Sequence, residues 1–210
     1  MNFTQFQQYI PTLKSVPLGG LEAQFKLAPE IRKRYSEDII KANNPKASAV
    51  LALFYPDTEN ETRFLLTLRA SYNGTHSAQI SFPGGKKEKS DLNLEQTALR
   101  ETFEEVGVQP SGIKILKQLT EAYIPPSNFL VTPYIGALNT APTFKPNNEV
   151  ETLIEVKLAD LLDDKNVVIK NMTTSYMKNI DVPCFKLNNY IVWGATAMIL
   201  SEIKQVFKSN

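Results

Sequence analysis

Apolar residues along the chain fall into short runs broken by turn residues, with two stretches at sustained helical period. Phe3, Phe6, Ile10 and Leu13 share one helical face and predict a short amphipathic helix over residues 2–14. Residues 15–46 are rich in Pro, Gly and charge, and predict an irregular lead-in with a short helical stretch near Ala28–Ala42. Ala47–Tyr55 is apolar and bounded by Pro45 and Pro56, the mark of a buried strand. The polar turn at 56–61 leads into a partner strand, Thr62–Arg69, and residues 70–78 form a small, polar loop. Gln79–Phe82 is a short strand ended by Pro83-Gly84-Gly85. After a polar loop at 86–91, a strong helix runs from about Leu92 to Val106 and stops at Gly107. Gly112–Tyr123 and Leu130–Leu138 read as strands on either side of Pro125-Pro126-Ser127-Asn128. Glu149–Leu158 is a further strand, Asp160–Asp164 a helical turn, and Val167–Lys170 and Cys184–Leu187 are weaker strands. Gly194–Lys208 closes the chain as a helix, with Thr196, Ile199, Leu200, Ile203, Val206 and Phe207 in period. Many strands around two helices predict an α/β or α+β sandwich with a mixed sheet. No linker or repeat divides it, and we read residues 47–210 as one domain preceded by a helical, irregular extension over 1–46.

Composition narrows the chemistry by exclusion. The single Cys, Cys184, rules out an intrachain disulfide and multi-Cys zinc sites, and the single His, His76, rules out HExxH and three-His sites. A formal net charge of +1 lacks the basic excess of a duplex nucleic-acid binder. The longest apolar run, Ala49–Tyr55, is far short of a membrane span, and Met1–Gly20 does not have the layout of a signal peptide. The expected location is cytoplasmic, without nucleic-acid or membrane partners. Catalysis in such a chain falls to carboxylates, Lys, Arg and a hard, oxygen-loving cation.

The helix over 92–106 carries the acid. At about 100° per residue, Leu92, Leu99, Phe103 and Val106 group on one side, and Glu101, Glu104 and Glu105 on the other. Like charges at this spacing repel by a few tenths of a kcal/mol per pair. A divalent cation such as Mg²⁺, Mn²⁺ or Ca²⁺ relieves the repulsion; a plain solvated acidic face is the alternative. The glycines upstream permit close backbone approach to a metal or phosphate.

These residues resemble the Nudix hydrolase signature, reading here as Gly85, Asp91, then Arg100-Glu101-Thr102-Phe103-Glu104-Glu105-Val106-Gly107-Val108. Asp91 stands for the usual Glu, the spacer to Arg100 is one residue longer, and Thr102 takes a position that is usually aliphatic. The flanks look like the coenzyme A pyrophosphatase branch: Leu65–Arg69, His76, Gln79–Gly85, Pro126–Tyr134, Asn148-Glu149-Val150 and Trp193–Ala197. Gly74 replaces an Arg of that branch, and Ala78 a Gly.

The resemblance implies an α/β/α sandwich around a mixed sheet. It also implies metal-dependent hydrolysis of a pyrophosphate bond in a nucleoside diphosphate derivative. Glu101, Glu104, Glu105 and the Gly84 carbonyl are the expected ligands of Mg²⁺ or Mn²⁺, and Arg100 orients the glutamates. The catalytic base is one of the helix glutamates or Glu149. Arg69, Lys86, Gly85 and His76 are candidate substrate contacts, with Lys87 a further phosphate candidate. Phe82, Tyr123, Phe129 and Trp193 either stack a base or fill the core, and Cys184 reads as core. The implied substrate is coenzyme A or acyl-coenzyme A; ADP-ribose, a dinucleotide or a nucleoside triphosphate is the second reading, and a non-catalytic nucleotide-binding domain the third. A homodimer is left open.

Overall fold

The computed structural model describes residues 1–70, 79–173 and 178–208. His76, Gly74 and Ala78 lie outside the described residues. Three helices precede the sheet: α1 (Phe3–Ser15), α2 (Gly20–Phe25) and α3 (Glu37–Ala42). Then follow β1 (Lys46–Pro56), β2 (Thr62–Arg69), β3 (Ile80–Ser81), β4 (Gly84–Lys86) and the acidic helix α4 (Leu94–Val106). The second half holds β5 (Lys114–Gln118), β6 (Ala122–Ile124), β7 (Phe129–Ala137), β8 (Val150–Lys157) and α5 (Leu158–Leu162). It ends with β9 (Val167–Met172), β10 (Ile180–Leu187), β11 (Tyr190–Val192) and α6 (Gly194–Lys208).

The main sheet runs β3-β2-β1-β7-β5, with β4 also on β1, β6 on β7 and β8 on β2. Only the β1–β7 pair is parallel among those assigned, so the sheet is mixed. A separate antiparallel sheet runs β11-β10-β9.

Strand β1 shows how the layers arise. Successive side chains of a strand point to opposite faces. Leu51, Leu53 and Tyr55 join Ala98 and Val106 of α4 on one face. Ala52 and Phe54 join Phe6 and Leu13 of α1 and Phe207 of α6 on the other. The sheet is therefore covered on both sides, an α/β/α arrangement, which is why β1 is apolar at nearly every position. Phe6 stacks on Phe54 at 5.3 Å and meets Phe207 at 5.8 Å. The first helix thus supplies one wall of the main core. It is started by a capping box in which Asn2 and Gln5 each satisfy the other's backbone N–H.

Some predicted elements divide differently. The strand expected over Gly112–Tyr123 is two strands, β5 and β6, with Leu119–Glu121 between them. Pro133 of β7 has no N–H to donate, and Thr120 is drawn off to α6 instead. Helix α2 and strands β4 and β11 had no periodic signal, being six and three residues long.

Glu202 of α6 is fully buried and collects donors from two other segments. Its two oxygens accept from Gly20 N (3.1 Å), Gln24 Nε2 (3.1 Å), Thr120 N (3.2 Å) and Thr120 Oγ1 (2.6 Å). A buried carboxylate is tolerable when its lone pairs are so fully satisfied. The contact ties α2 and the β5–β6 connection to α6. We predict that Glu202→Gln costs about 1–3 kcal/mol, from weaker hydrogen bonds and an amide NH₂ set against donors. Glu202→Ala should cost more, because it leaves several buried donors unpaired. Urea midpoints would measure both; an unchanged midpoint for Glu202→Ala overturns the assignment.

Candidate active site

Helix α4 starts at Asn93, whose side chain accepts from Gln96 N, and ends at Gly107 in the left-handed region at φ 75°. Half of the apolar face read from its sequence turns inward: Val106 is buried and Leu99 packs against the core. Leu92 precedes the helix and is 82% exposed, and Phe103 is 42% exposed. The buried residues are Thr97, Ala98, Thr102, Glu105 and Val106. Small Ala98 and the two threonines let the helix lie close to the sheet, and Thr102 returns its hydroxyl to the Ala98 carbonyl at 2.7 Å. The three glutamates consequently diverge. Glu105 turns inward beneath the sheet edge, Glu101 faces a cleft, and the Glu104 side chain is half exposed.

Strand β4 is held by ladder bonds that include Leu51 N to Pro83 O and Lys87 N to Ala47 O. In an antiparallel ladder alternate residues bond to the partner strand. Gly84 and Lys86 are the other residues, so their amides and carbonyls point away from β1, toward α4. The Gly84 N–H donates to Glu105 Oε2 at 3.1 Å, and the Lys86 carbonyl accepts from Arg100 Nη2 at 3.1 Å. The Gly84 carbonyl lies on the same side as its N–H, facing the carboxylates. Both glycines are needed, for different reasons. Gly84 has φ 153°, and a Cβ there would sit 2.3 Å from the Ala49 carbonyl oxygen. A Cβ on Gly85 would sit 2.4 Å from Glu101 Cδ, in space that the carboxylate itself fills.

Arg100 organises the acids. It grips Asp91 with two nitrogens, Nε to Oδ1 and Nη2 to Oδ2, each at 2.9 Å. Its Nη1 reaches Glu101 and Glu104, each at 3.0 Å. Asp91 also accepts from Glu88 N and Thr97 Oγ1, each at 2.9 Å, and is buried. The acid preceding the helix is therefore a partner of Arg100. Among the described residues no three His, Cys, Asp or Glu side chains form a ready metal cage, because Arg100 holds Glu101 and draws Glu104 outward. The oxygens that could serve a hard divalent cation here are those of Glu101, Glu105 and the Gly84 carbonyl, while Arg100 holds Glu104.

Beyond these groups opens a cleft of about 450 Å³. Arg69, Gly84, Gly85, Lys86, Glu101 and Glu149 line it. Arg69 spans two carboxylates, with Nη2 2.8 Å from Glu149 Oε2 and Nη1 3.8 Å from Glu105 Oε1. Phe129 and Trp193 also line the cleft, and Phe82 borders it while almost fully buried. Tyr123 lies outside it, lining a neighbouring cavity. Arg32 is a cleft residue that no motif indicated, since its segment is brought there by the tertiary fold alone.

Burial dominates the electrostatics of the inward acids. It pushes the Glu105 carboxyl up to about 7, partly opposed by the Gly84 N–H and Arg69. Burial also raises Glu101, against the pull of Arg100. Asp91 goes the other way: the Arg100 hydrogen bonds hold it well below the usual carboxylate range, outweighing burial.

A NUDIX domain family model matches residues 45–175, well over half of the chain. The chain belongs to the Nudix family. It is 33% identical over 168 residues to Nudix hydrolase 15, mitochondrial, of Arabidopsis thaliana, a match covering 77% of this chain and 59% of that protein. It is 32% identical over 163 residues to Nudix hydrolase 22, chloroplastic, of the same plant, covering 74% of this chain and 53% of that one. The chain therefore spans little more than half the length of these relatives. Among solved structures, a Nudix hydrolase from M. smegmatis, RenU, superposes with a TM-score of 0.54 at 18% identity, over 79% of this chain and 87% of that one, which shows the shared fold. No helix among the described residues is long and apolar enough to cross a membrane.

Two predictions come from the geometry. The lowered Asp91 carboxyl contributes stability that is complete above its unfolded value of about 3.9 and is lost as pH falls through the lower folded value. Asp91→Asn should cost about 1–3 kcal/mol at neutral pH. The gap from wild type should narrow below about pH 4. Urea titrations across pH measure this, and coincident curves at pH 7 would refute the clamp. The glycines should separate: Gly84→Ala strikes backbone and should cost about 1–3 kcal/mol. Gly85→Ala strikes only the end of a flexible side chain and should leave the midpoint nearly unchanged while displacing Glu101. Equal losses for the two would contradict the assignment.

Proposed function

We propose that this chain hydrolyses the pyrophosphate bond of a nucleoside diphosphate derivative with Mg²⁺ or Mn²⁺. We propose further that the substrate is coenzyme A or acyl-coenzyme A, released as 3′,5′-ADP and (acyl-)4′-phosphopantetheine. The observation that carries the reaction is the oxygen set beside one end of the cleft: Glu101 in its lining and, behind it, the buried Glu105 held by the Gly84 N–H, steadied by the Arg100–Asp91 clamp. What supports the substrate is where the coenzyme A-like segments lie. Gln79–Gly85, Pro126–Tyr134, Asn148–Val150 and Trp193–Ala197 each contribute side chains or backbone to the same cleft.

A divalent cation supplies neutralisation of the diphosphate and an acidified water. The protein's share is position. Arg100 and Asp91 fix the helix carboxylates relative to β4. Arg69 holds Glu149 by Oε2, which leaves Oε1 to accept the proton of the attacking water. The water oxygen bonds to phosphorus as the bridging P–O bond breaks, and the leaving phosphate departs with that electron pair. Lys86 lines the cleft, and in this reading it meets phosphate oxygens.

The test is a panel of coenzyme A, ADP-ribose, NADH and nucleoside triphosphates with Mg²⁺ or Mn²⁺, with products identified by mass. Release of 3′,5′-ADP at the highest efficiency is expected; preference for ADP-ribose would overturn the substrate, and no turnover would overturn the reaction. Glu105→Gln should lower kcat about a hundredfold or more. Its fold should be intact or slightly more stable, since the variant removes a charge that burial disfavours.

A further inference from the structure

The cleft has two chemically different ends. Its floor crosses four strands, β4, β1, β7 and β6, through Gly84, Val50, Val131 and Ile124. The carboxylates gather at the β4 end. At the β6 end stands Arg32, on a 3₁₀ turn at Glu30–Arg34 that precedes the family match at 45–175. Three strand-to-strand steps of about 4.8 Å separate these ends, about 14 Å in all before side chains reach inward.

Arg32 is 8% exposed, and its Nη1 donates to the Tyr123 carbonyl at 2.6 Å. A guanidinium carries five N–H donors in a planar fork, so one anchored to a carbonyl can also serve an anion. The same wall holds Ser127, whose Oγ is buried and has no hydrogen-bond partner. Both residues line the cleft. Ser127 sits in the Pro125–Ser127 turn that follows β6, three residues past Ile124 and four past Tyr123. A buried hydroxyl without a partner is costly unless a ligand supplies one. At the other end Arg69 bridges Glu149 and Glu105, and Lys86 stands nearest the glycine turn, beside the scissile diphosphate of the reading above.

We propose that Arg32 and Ser127 form a second anion subsite, which takes a phosphomonoester carried by the substrate away from the scissile diphosphate. In the reading above, on which this rests for the identity of the substrate, that group is the 3′-phosphate of coenzyme A. Arg32 is then the specificity-determining residue that separates coenzyme A from its 3′-dephospho form, and it comes from the N-terminal segment.

The test uses the full chain with 3′,5′-ADP and AMP as probes, titrated calorimetrically in Mg²⁺ buffer. Wild type should bind 3′,5′-ADP at least about tenfold more tightly than AMP. Arg32→Gln should bring the two affinities within about twofold by weakening 3′,5′-ADP alone, and Ser127→Ala should narrow the gap by a few-fold. Arg32→Lys should recover part of it, a point charge replacing a fork. A purely structural Arg32 would weaken both probes together, and that result, or a preference unchanged in Arg32→Gln, overturns the proposal. Should Arg32→Gln fail to fold, Arg32→Lys and Ser127→Ala decide, and no change of the ratio in either refutes the subsite. Rates with coenzyme A and 3′-dephospho-coenzyme A separate the two claims. Wild type that hydrolyses neither sinks the substrate, while the nucleotide affinities still judge Arg32.

Discussion

Carboxylates do not gather unaided on one side of a helix beneath a sheet edge, and here the Arg100 guanidinium makes the arrangement possible. It lies among Asp91, Glu101 and Glu104 and also donates to the Lys86 carbonyl. That one group joins the loop before α4, two of its glutamates and β4. Asp91 is the deep end of the clamp, with donors from Glu88 N and Thr97 Oγ1 beside the two from Arg100. A single point charge could not hold these oxygens in fixed directions, whereas a planar fork can. The rest of the site takes its geometry from this fixed point, because the positions of β4 and α4 set where Glu101 and Glu105 can reach.

The second constraint is space. Glu101 occupies the volume where Gly85 would carry a Cβ, and Glu105 reaches a backbone N–H that only the alternation of the β1–β4 ladder turns its way. The glycines are thus the spatial complement of the acids. One lets the strand pass β1, and the other lets a carboxylate lie against the strand. Glu105 sits deep enough that burial raises its carboxyl, so its charge is held at a cost that a bound cation would relieve.

Much of this was legible in the sequence, and the exceptions have physical causes. Thr62–Arg69 and Gly194–Lys208 begin and end where period and flanking residues put them. The order of Arg100, Glu101, Glu104 and Glu105 marked the acidic helix. Its orientation is only partly legible, because periodicity assigns faces by hydrophobicity: Leu99 and Val106 face the core, whereas Leu92 and Phe103 do not. In α4 the inward face is chosen by hydrogen bonds and close approach, so Phe103 stays at the surface while Glu105 goes in. Short elements such as β4 contain less than one period of pattern. The break at Leu119–Glu121 depends on Glu202, which lies more than 80 residues away in sequence. No local signal encodes such a contact.

The same reasoning explains why the N-terminal segment belongs in any account of the cleft. Residues 1–44 lie outside the family match, yet Phe6 sits in the main core, Gln24 on Glu202, and Arg32 in the cleft wall. Glu202 fixes α2, and the chain from α2 to the Arg32 turn is short. The buried carboxylate on α6 therefore constrains where that guanidinium can stand. The acidic helix and the glycine turn give the site its carboxylate end through local sequence. The opposite end is assembled from the 30–34 turn, anchored on β6 by the Arg32 bond to the Tyr123 carbonyl, and the Pro125–Ser127 turn that follows β6. A motif can specify the first because its residues lie within one turn–helix unit. The second exists only once the N-terminal segment has docked, so differences among proteins sharing the acidic helix can arise there without altering the carboxylates or the glycines.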